Sequence, residues 1–230
     1  MLADPMATVA FVLSVLGAGG AVWPAVQGVA KVRDEWLRRR ETRDTPRELY
    51  YRSCSAALRV VEANRKYVHR REAHLVSRDD KLTRVAWGSR LLGEVDVVDE
   101  QLACDHPAIR LSLVEADSSV DRGEGWNRRY VQLNKPLRRR EEIEFVHCQT
   151  LVSTGRPLEP ILRWSPQTRC DRITLTVAFA SDPPPQVRYS AHRHSGEEVE
   201  WCWVPLDVIT GSFTIHVDDP MPGRSYKLTW

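Results

Sequence analysis

The sequence predicts a mainly β protein, an antiparallel sandwich or barrel, preceded by an N-terminal transmembrane helix and a short amphipathic helix. Three observations predict this class. Residues 5–30 carry no charge, a helix-start signal lies at Thr45, and apolar residues alternate with polar ones along much of the chain after residue 67. We therefore divide the 230 residues into an anchor (1–30), a basic helical connector (31–66) and a cytoplasmic β-domain (67–230).

The composition excludes several classes of protein but names no activity. With 42% hydrophobic and 28% charged residues, the chain is neither collagen-like nor disordered. Its 33 Lys and Arg nearly balance its 31 Asp and Glu, so no overall charge favours nucleic acid. The 5 cysteines are scattered without a C-x-x-C pair, which is typical of reduced thiols in the cytosol.

The uncharged run between Asp4 and Lys31 predicts a single membrane span. A helix rising ~1.5 Å per residue over this run covers the ~30 Å hydrocarbon core of a bilayer. A secretory signal peptide needs a positive N-terminal region, which is lacking, whereas Arg and Lys follow the run. The positive-inside rule then places the N-terminus outside and the bulk of the chain in the cytoplasm. A buried segment of a soluble protein remains the alternative, because Pro24 and Gly28 interrupt the run.

Two features extend the membrane hypothesis. Gly17 and Ala21 form a small-xxx-small pair that allows close helix packing and a homo-oligomer, although an Ala- and Gly-rich run contains such pairs by chance. The connector carries cations and an aromatic residue that suit anionic lipid headgroups. These membrane-surface residues are Lys31, Arg33, Trp36, Arg38, Arg39 and Arg40.

A capping signal predicts the amphipathic helix. In Thr45-Pro46-Arg47-Glu48, the Thr hydroxyl caps free N–H groups, Pro fits the first helical position, and Glu reaches back to the cap. The helix is expected from Pro46 to about Arg65. Its buried stripe would comprise Leu49, Ser53, Ala57, Val60, Val61 and Asn64.

Alternating segments separated by turn signals predict about ten strands. The clearest runs are 173–179, 187–192, 198–203, 213–217 and 226–230, with further strands near 67–76, 82–88, 107–115, 128–133 and 142–153. Single faces of these runs predict a buried core. The core residues are expected to include Ile173, Val177, Phe179, Trp201, Trp203, Phe213 and Ile215, and Trp230 is expected to pack into the core.

The closing segment Pro222-Gly223-Arg224-Ser225-Tyr226-Lys227-Leu228-Thr229-Trp230 resembles the final strand of β-rich domains in actinobacterial signalling and conflict proteins. Together with the N-terminal span, the architecture resembles CBASS-type membrane effectors of bacterial antiphage systems. The resemblance implies a sensor or effector role in defence and assigns no individual residue.

No motif for phosphate-loop, dinucleotide, serine-hydrolase or zinc-protease chemistry occurs, so we expect no enzyme, catalytic residue, metal or cofactor. Exposed aromatic and imidazole groups on a strand face could bind a nucleotide or another small ligand. The candidates are Trp126, Trp164, His192 and His194. The leading hypothesis is a membrane-anchored domain that binds a ligand or partner, without a specific nucleic acid. A membrane-tethered scaffold and, more remotely, a cryptic hydrolase are the alternatives.

Overall fold

The computed structural model describes residues 48–230 except residues 64, 88, 91–93, 116–125 and 128. Over these residues the chain is mainly β, and no helix is found there. The predicted span, Gly17, Ala21 and the basic connector residues from Lys31 to Arg40 lie outside the described residues.

Sixteen strands form four sheets in the described ranges. The strands are β1 (Leu49–Glu62), β2 (Lys66–Ser77), β3 (Leu82–Ala86), β4 (Ser89–Arg90), β5 (Val95–Cys104), β6 (Leu111–Glu115), β7 (Trp126–Asn127), β8 (Arg129–Leu137), β9 (Glu142–Ser153), β10 (Ile161–Trp164), β11 (Cys170–Phe179), β12 (Val187–His192), β13 (Glu198–Val204), β14 (Leu206–Asp207), β15 (Ser212–Asp218) and β16 (Ser225–Thr229).

A seven-stranded sheet, in the order β14-β15-β11-β1-β2-β9-β5, holds the longest strands. The other sheets are β10-β16-β12-β13, β3-β8-β6 and the short pair β4-β7. Neighbouring strands run antiparallel, as expected, except that β1 runs parallel to β11. This parallel pair was not predicted, because it joins segments far apart in sequence.

The predicted helix from Pro46 to about Arg65 is wrong over Leu49–Glu62, which is strand β1. β1 pairs along most of its length with β2 on one side and β11 on the other, so backbone hydrogen bonds hold it at the middle of the sheet. A helix cap contributes only about 1 kcal/mol, which this pairing outweighs. Burial follows period two, with one shift beside Arg52. The buried residues are Leu49, Tyr51, Cys54, Ala56, Leu58 and Val60.

β1 lies in the segment that the sequence assigned to the connector. The boundary placed between residues 66 and 67 falls one residue inside β2, which is the neighbour of β1 in the sheet. The helical stripe combined residues of both strand faces: Ala57 is half-buried and Ser53 is exposed. The sheet therefore includes residues that the sequence assigned to the connector.

One hydrophobic core joins the seven-, four- and three-stranded sheets. Leu75, Leu175 and Val177 on the largest sheet are fully buried, as are Tyr189 and Leu228 on the four-stranded sheet. The predicted packing of Trp230 is confirmed: it is partly buried against this core, with its ring centroid 5.9 Å from that of Phe179.

The core predictions were right on two strands, β11 and β15, and wrong on β13. Ile173, Val177 and Phe213 are buried, whereas Phe179 and Ile215 are partly buried at the edge of the core. Trp201 and Trp203 are wrong as core residues, because they are 53% and 54% exposed. Their side chains lie on the face of β13 that nothing in the described chain covers.

Candidate ligand-binding face and a buried polar network

The outer face of the four-stranded sheet carries aromatic and basic side chains together. Strand register aligns them in two neighbouring rows. Tyr189 and Leu228 occupy the opposite face and fill the core, so both rows point outward. One row is Trp203, Arg188, Thr229 and Ile161; the other is Trp201, Ser190, Lys227 and Arg163. We call these eight residues the outer sheet face.

Two tryptophans form the aromatic part of the outer sheet face. Trp201 and Trp203 lie two residues apart on the edge strand β13, with ring centroids 6.2 Å apart and planes at 81°. The guanidinium carbon of Arg188 lies 5.1 Å from the Trp201 ring centroid. Large aromatic side chains are usually at least half-buried, so an exposed neighbouring pair offers rings on which a planar ligand can stack.

Positive charge exceeds negative charge on this face. Arg188 donates a hydrogen bond of 2.6 Å to Glu198, a carboxylate at the start of β13. Lys227 and Arg163 are directly opposite each other on β16 and β10. Partial burial, together with the charge of Arg163, lowers the pKa of Lys227. An anion placed between these cations would relieve their repulsion.

Of the three predicted ligand-binding residues whose side chains the structure describes, one lies beside this face. His192 ends β12, where its Nε2 is 2.9 Å from Ser190 Oγ and its Nδ1 is 3.2 Å from the Gly196 carbonyl. The expectation that His194 shares its strand face is wrong, because His194 lies in the turn after β12. Trp164 points inward, 5.9 Å from the Trp87 ring. The side chain of Trp126 lies outside what the structure describes.

Beneath β3 and β8, the inner face of the seven-stranded sheet holds a polar network that the sequence did not reveal. Arg71 Nη2 and Trp87 Nε1 lie 2.8 and 3.1 Å from His147 Nδ1. Both nitrogens are donors, so Nδ1 must be the acceptor and the imidazole proton sits on Nε2. His147 Nε2 therefore donates to Glu100, at 2.9 Å.

Glu100 accepts hydrogen bonds from the other donors of the network. Arg129 Nη1 lies 2.6 and 2.8 Å from its two carboxylate oxygens, and Gln149 Nε2 lies 2.7 Å from Oε1. Burial raises the pKa of Glu100, but hydrogen bonds from Arg129, His147 and Gln149 outweigh that effect and hold it below its usual range. The carboxylate is therefore the ionised partner of the buried cations.

Burial sets the charge of Arg71, of His147 and of His69, a buried imidazole that interacts electrostatically with both. Burial lowers the pKa of Arg71 to about 9 and that of His69 to about 3, and it also lowers the pKa of His147. Arg71 strengthens the effect on both imidazoles. His147 is only 1% exposed, so we interpret the network as part of the core rather than as a reactive centre.

The described residues were also searched for a nucleophile with its base, a metal site and a membrane-spanning helix. His147 is buried while Cys148 is half-buried on the opposite face, so they cannot act as a nucleophile and its base. Among the residues that the structure describes, no three His, Cys, Asp or Glu side chains are grouped to hold a metal ion. A search of the same residues finds no helix with the length and apolar character of a membrane span.

No family model matches the sequence, and no curated protein matches it. Solved structures with similar folds include an M1 zinc metallopeptidase from Deinococcus radiodurans, 12% identical, with a TM-score of 0.43 over 80% of this chain and 43% of that one. Leukotriene A4 hydrolase from Saccharomyces cerevisiae is 10% identical, with a TM-score of 0.43 over 81% of this chain and 30% of that one. The chain thus spans less than half of each, and similarity at this level identifies no function.

Proposed function

We propose that this chain is a membrane-anchored binding protein whose β-domain takes up an anionic ligand with a planar ring, of the nucleotide type. The observation that carries the proposal is the exposed pair Trp201 and Trp203 beside Arg188 and Lys227 on one sheet face. The N-terminal run supplies the anchor, as the sequence predicts.

Each half of such a ligand has a suitable partner on the outer sheet face. A base can stack on an exposed indole, a contact that contributes roughly 1–3 kcal/mol per base. A phosphate can accept hydrogen bonds from Arg188, Lys227 and Arg163, which lie on three adjacent strands. Lys227 and Arg163 are directly opposite each other, and Arg188 lies in the neighbouring row. Aromatic and cationic groups at this spacing favour one ligand that contacts both.

Anchoring would connect binding to a response. Copies held in one membrane meet at a higher effective concentration than free copies, so a ligand that bridges two β-domains would gather their anchors. This mechanism fits a sensor or effector, and the antiphage role implied by the resemblance remains part of the proposal.

A scaffold that binds another protein is the second candidate, and β5 favours it. This edge strand of the largest sheet is exposed along much of its length, with Val97 40% and Val98 59% exposed. An open edge can accept a strand from a partner through backbone hydrogen bonds. The outer sheet face would then be a protein contact rather than a ligand site.

The test measures binding of nucleoside monophosphates and cyclic dinucleotides to the purified full chain by calorimetry. The double variant Trp201→Ala and Trp203→Ala should bind at least about tenfold more weakly, because stacking on both rings is lost. A control, Val208→Ala with Ile209→Ala, removes exposed apolar surface elsewhere and should bind normally. Equal binding by both variants, or no binding by the natural chain, would refute the nucleotide-type ligand.

A further inference from the structure

A basic cavity of about 600 Å³ lies beside the start of β1, where the ends of β1 and β2 meet the turn between β8 and β9. It shares no residue with the outer sheet face or the polar network. Its lining residues are Tyr50, Arg52, Val76, Ser77, Arg78, Arg139, Arg140 and Glu142. We call this the arginine cavity.

Four arginines and one carboxylate line the arginine cavity, and that carboxylate is already engaged. Glu142 forms ion pairs with Arg52 and His74. The His74 hydrogen bond, with the charge of Arg52, lowers the pKa of Glu142. Glu142 is therefore an ionised partner of Arg52 and leaves the other three arginines without compensation from the cavity wall.

The three remaining guanidinium groups have no acidic partner in the described part of the chain. Arg78 stacks over Tyr50, with its guanidinium carbon 4.7 Å from the ring centroid, and Arg169 approaches the same ring at 5.8 Å. Among the described residues, the hydrogen bonds of Arg139 and Arg140 come from their backbones: Arg139 N–H donates to a carboxylate oxygen of Asp80, and Arg140 N–H donates to the Ser77 carbonyl. All three side chains are exposed, so together they form a positively charged surface open to an anion from solvent.

The backbone of Arg140 has a φ of 70°, in the left-handed region that favours glycine. Asp182 and Asp219 have the same conformation in other turns. At Arg140 the conformation supplies a useful test, because Arg140→Gly removes the guanidinium and relieves the backbone strain together. Arg140 lines the same cavity as Arg78 and Arg139.

We propose that the arginine cavity binds a phosphate group through Arg78, Arg139 and Arg140. A planar guanidinium matches two phosphate oxygens with two parallel N–H donors, and three of them can surround one tetrahedral anion. The phosphate could belong to an anionic lipid headgroup or to a free solute. β1 follows the predicted span and its basic flank in the sequence, so the lipid source accords with the proposed anchoring.

The test compares three full-length variants with the natural chain. Arg140→Gly relieves the backbone strain and removes one guanidinium, and a second variant adds Arg139→Gln. The control, Arg59→Gln with Arg110→Gln, removes the same charge from exposed positions outside the cavity. The probes are inorganic phosphate, measured by calorimetry, and vesicles of phosphatidylcholine with or without phosphatidic acid, measured by sedimentation.

Arg140→Gly should melt no lower than the natural chain, yet bind the phosphate probe roughly threefold to tenfold more weakly, and the double variant should lose more. If the cavity variants bind both probes more weakly, the site is open to free phosphate. If they bind only the phosphatidic acid vesicles more weakly, the site binds a lipid headgroup. If the cavity variants bind both probes as the control does, the proposal is wrong. The Trp201 and Trp203 variant should bind these probes normally, so failure here is distinguishable from failure of the nucleotide-type site.

Discussion

At the scale of single residues, His147 shows how neighbours decide the state of a side chain. Arg71 and Trp87 both direct N–H groups at its Nδ1. A second proton on the ring would have to sit on Nδ1, where it would face these two N–H donors and find no acceptor. The neutral ring then donates to Glu100, which stays ionised among its donors. No pattern in the sequence marks these residues, because they come from β2, β5, β9 and the end of β3 and meet only in the fold.

The buried imidazoles predict a loss of stability in mild acid. Burial lowers the pKa of His69 from 6.5 to about 3. Below pH 6.5, His69 therefore binds a proton in the unfolded chain but not in the folded chain. Stability is therefore complete above about 6.5 and falls as the pH decreases toward 3. His69 contributes a slope approaching about 1.4 kcal/mol per pH unit, and His147 acts in the same direction.

His69→Leu should reduce the slope of unfolding free energy against pH between pH 6.5 and 5. Carboxylates ordinarily titrate below this window, so they contribute little to the slope there. Urea unfolding at a series of pH values gives the measurement. His106→Leu, at a half-buried position outside the polar network, is the matched control. An unchanged slope in the His69 variant would mean that this imidazole takes up its proton in the folded state.

At the scale of elements, alternation predicted the strands but not which face is covered. β2 and β9 closely match the predicted segments, and β3 matches in its first part. β13 alternates as well as β11, yet it lies at a sheet edge, where its tryptophans face outward. β5 was missed because an exposed edge strand needs no apolar face. β1 was missed because a local capping signal says nothing about long-range pairing.

The strand assignment of β1 can be tested by two adjacent substitutions. Ala56 is buried and faces the core, whereas Ala57 is half-buried on the other face. Ala56→Asp should destabilise the fold by more than about 4 kcal/mol or prevent folding, because it buries an unpaired charge. Ala57→Asp should be tolerated far better.

Thermal unfolding of the two variants measures the difference, and each serves as the control for the other. A helix with the stripe predicted from the sequence would bury Ala57, so Ala57→Asp would then be at least as disruptive as Ala56→Asp. Equal tolerance of both substitutions would contradict a strand at the centre of the sheet.

At the scale of the whole molecule, the two proposed sites and the proposed anchor have separate locations in the chain. The arginine cavity adjoins the start of β1, and the outer sheet face is built by strands from β10 onward. We expect residues 45–230 to fold without the N-terminal segment, because the core described above begins at Leu49.

This expectation predicts different behaviour for two lengths of the protein. The full chain should sediment with membranes after cell lysis, whereas residues 45–230 should stay in the supernatant and unfold cooperatively in urea. Aggregation of the shorter chain, together with a full chain that needs no detergent, would show that the N-terminal segment belongs to the core. The anchor hypothesis would then be wrong.

The parallel pairing of β1 with β11 has a consequence for synthesis. β1 leaves the ribosome before any other described strand, but its partner β11 follows only after nine further strands have emerged. Until then one side of the central strand presents unpaired backbone groups to any other nascent chain. Closing so long a loop is slow. The incomplete chain therefore remains for some time with one edge of its central strand unpaired and open to aggregation. A chaperone that shields this strand would therefore act on the early β1–β2 hairpin rather than on the finished domain.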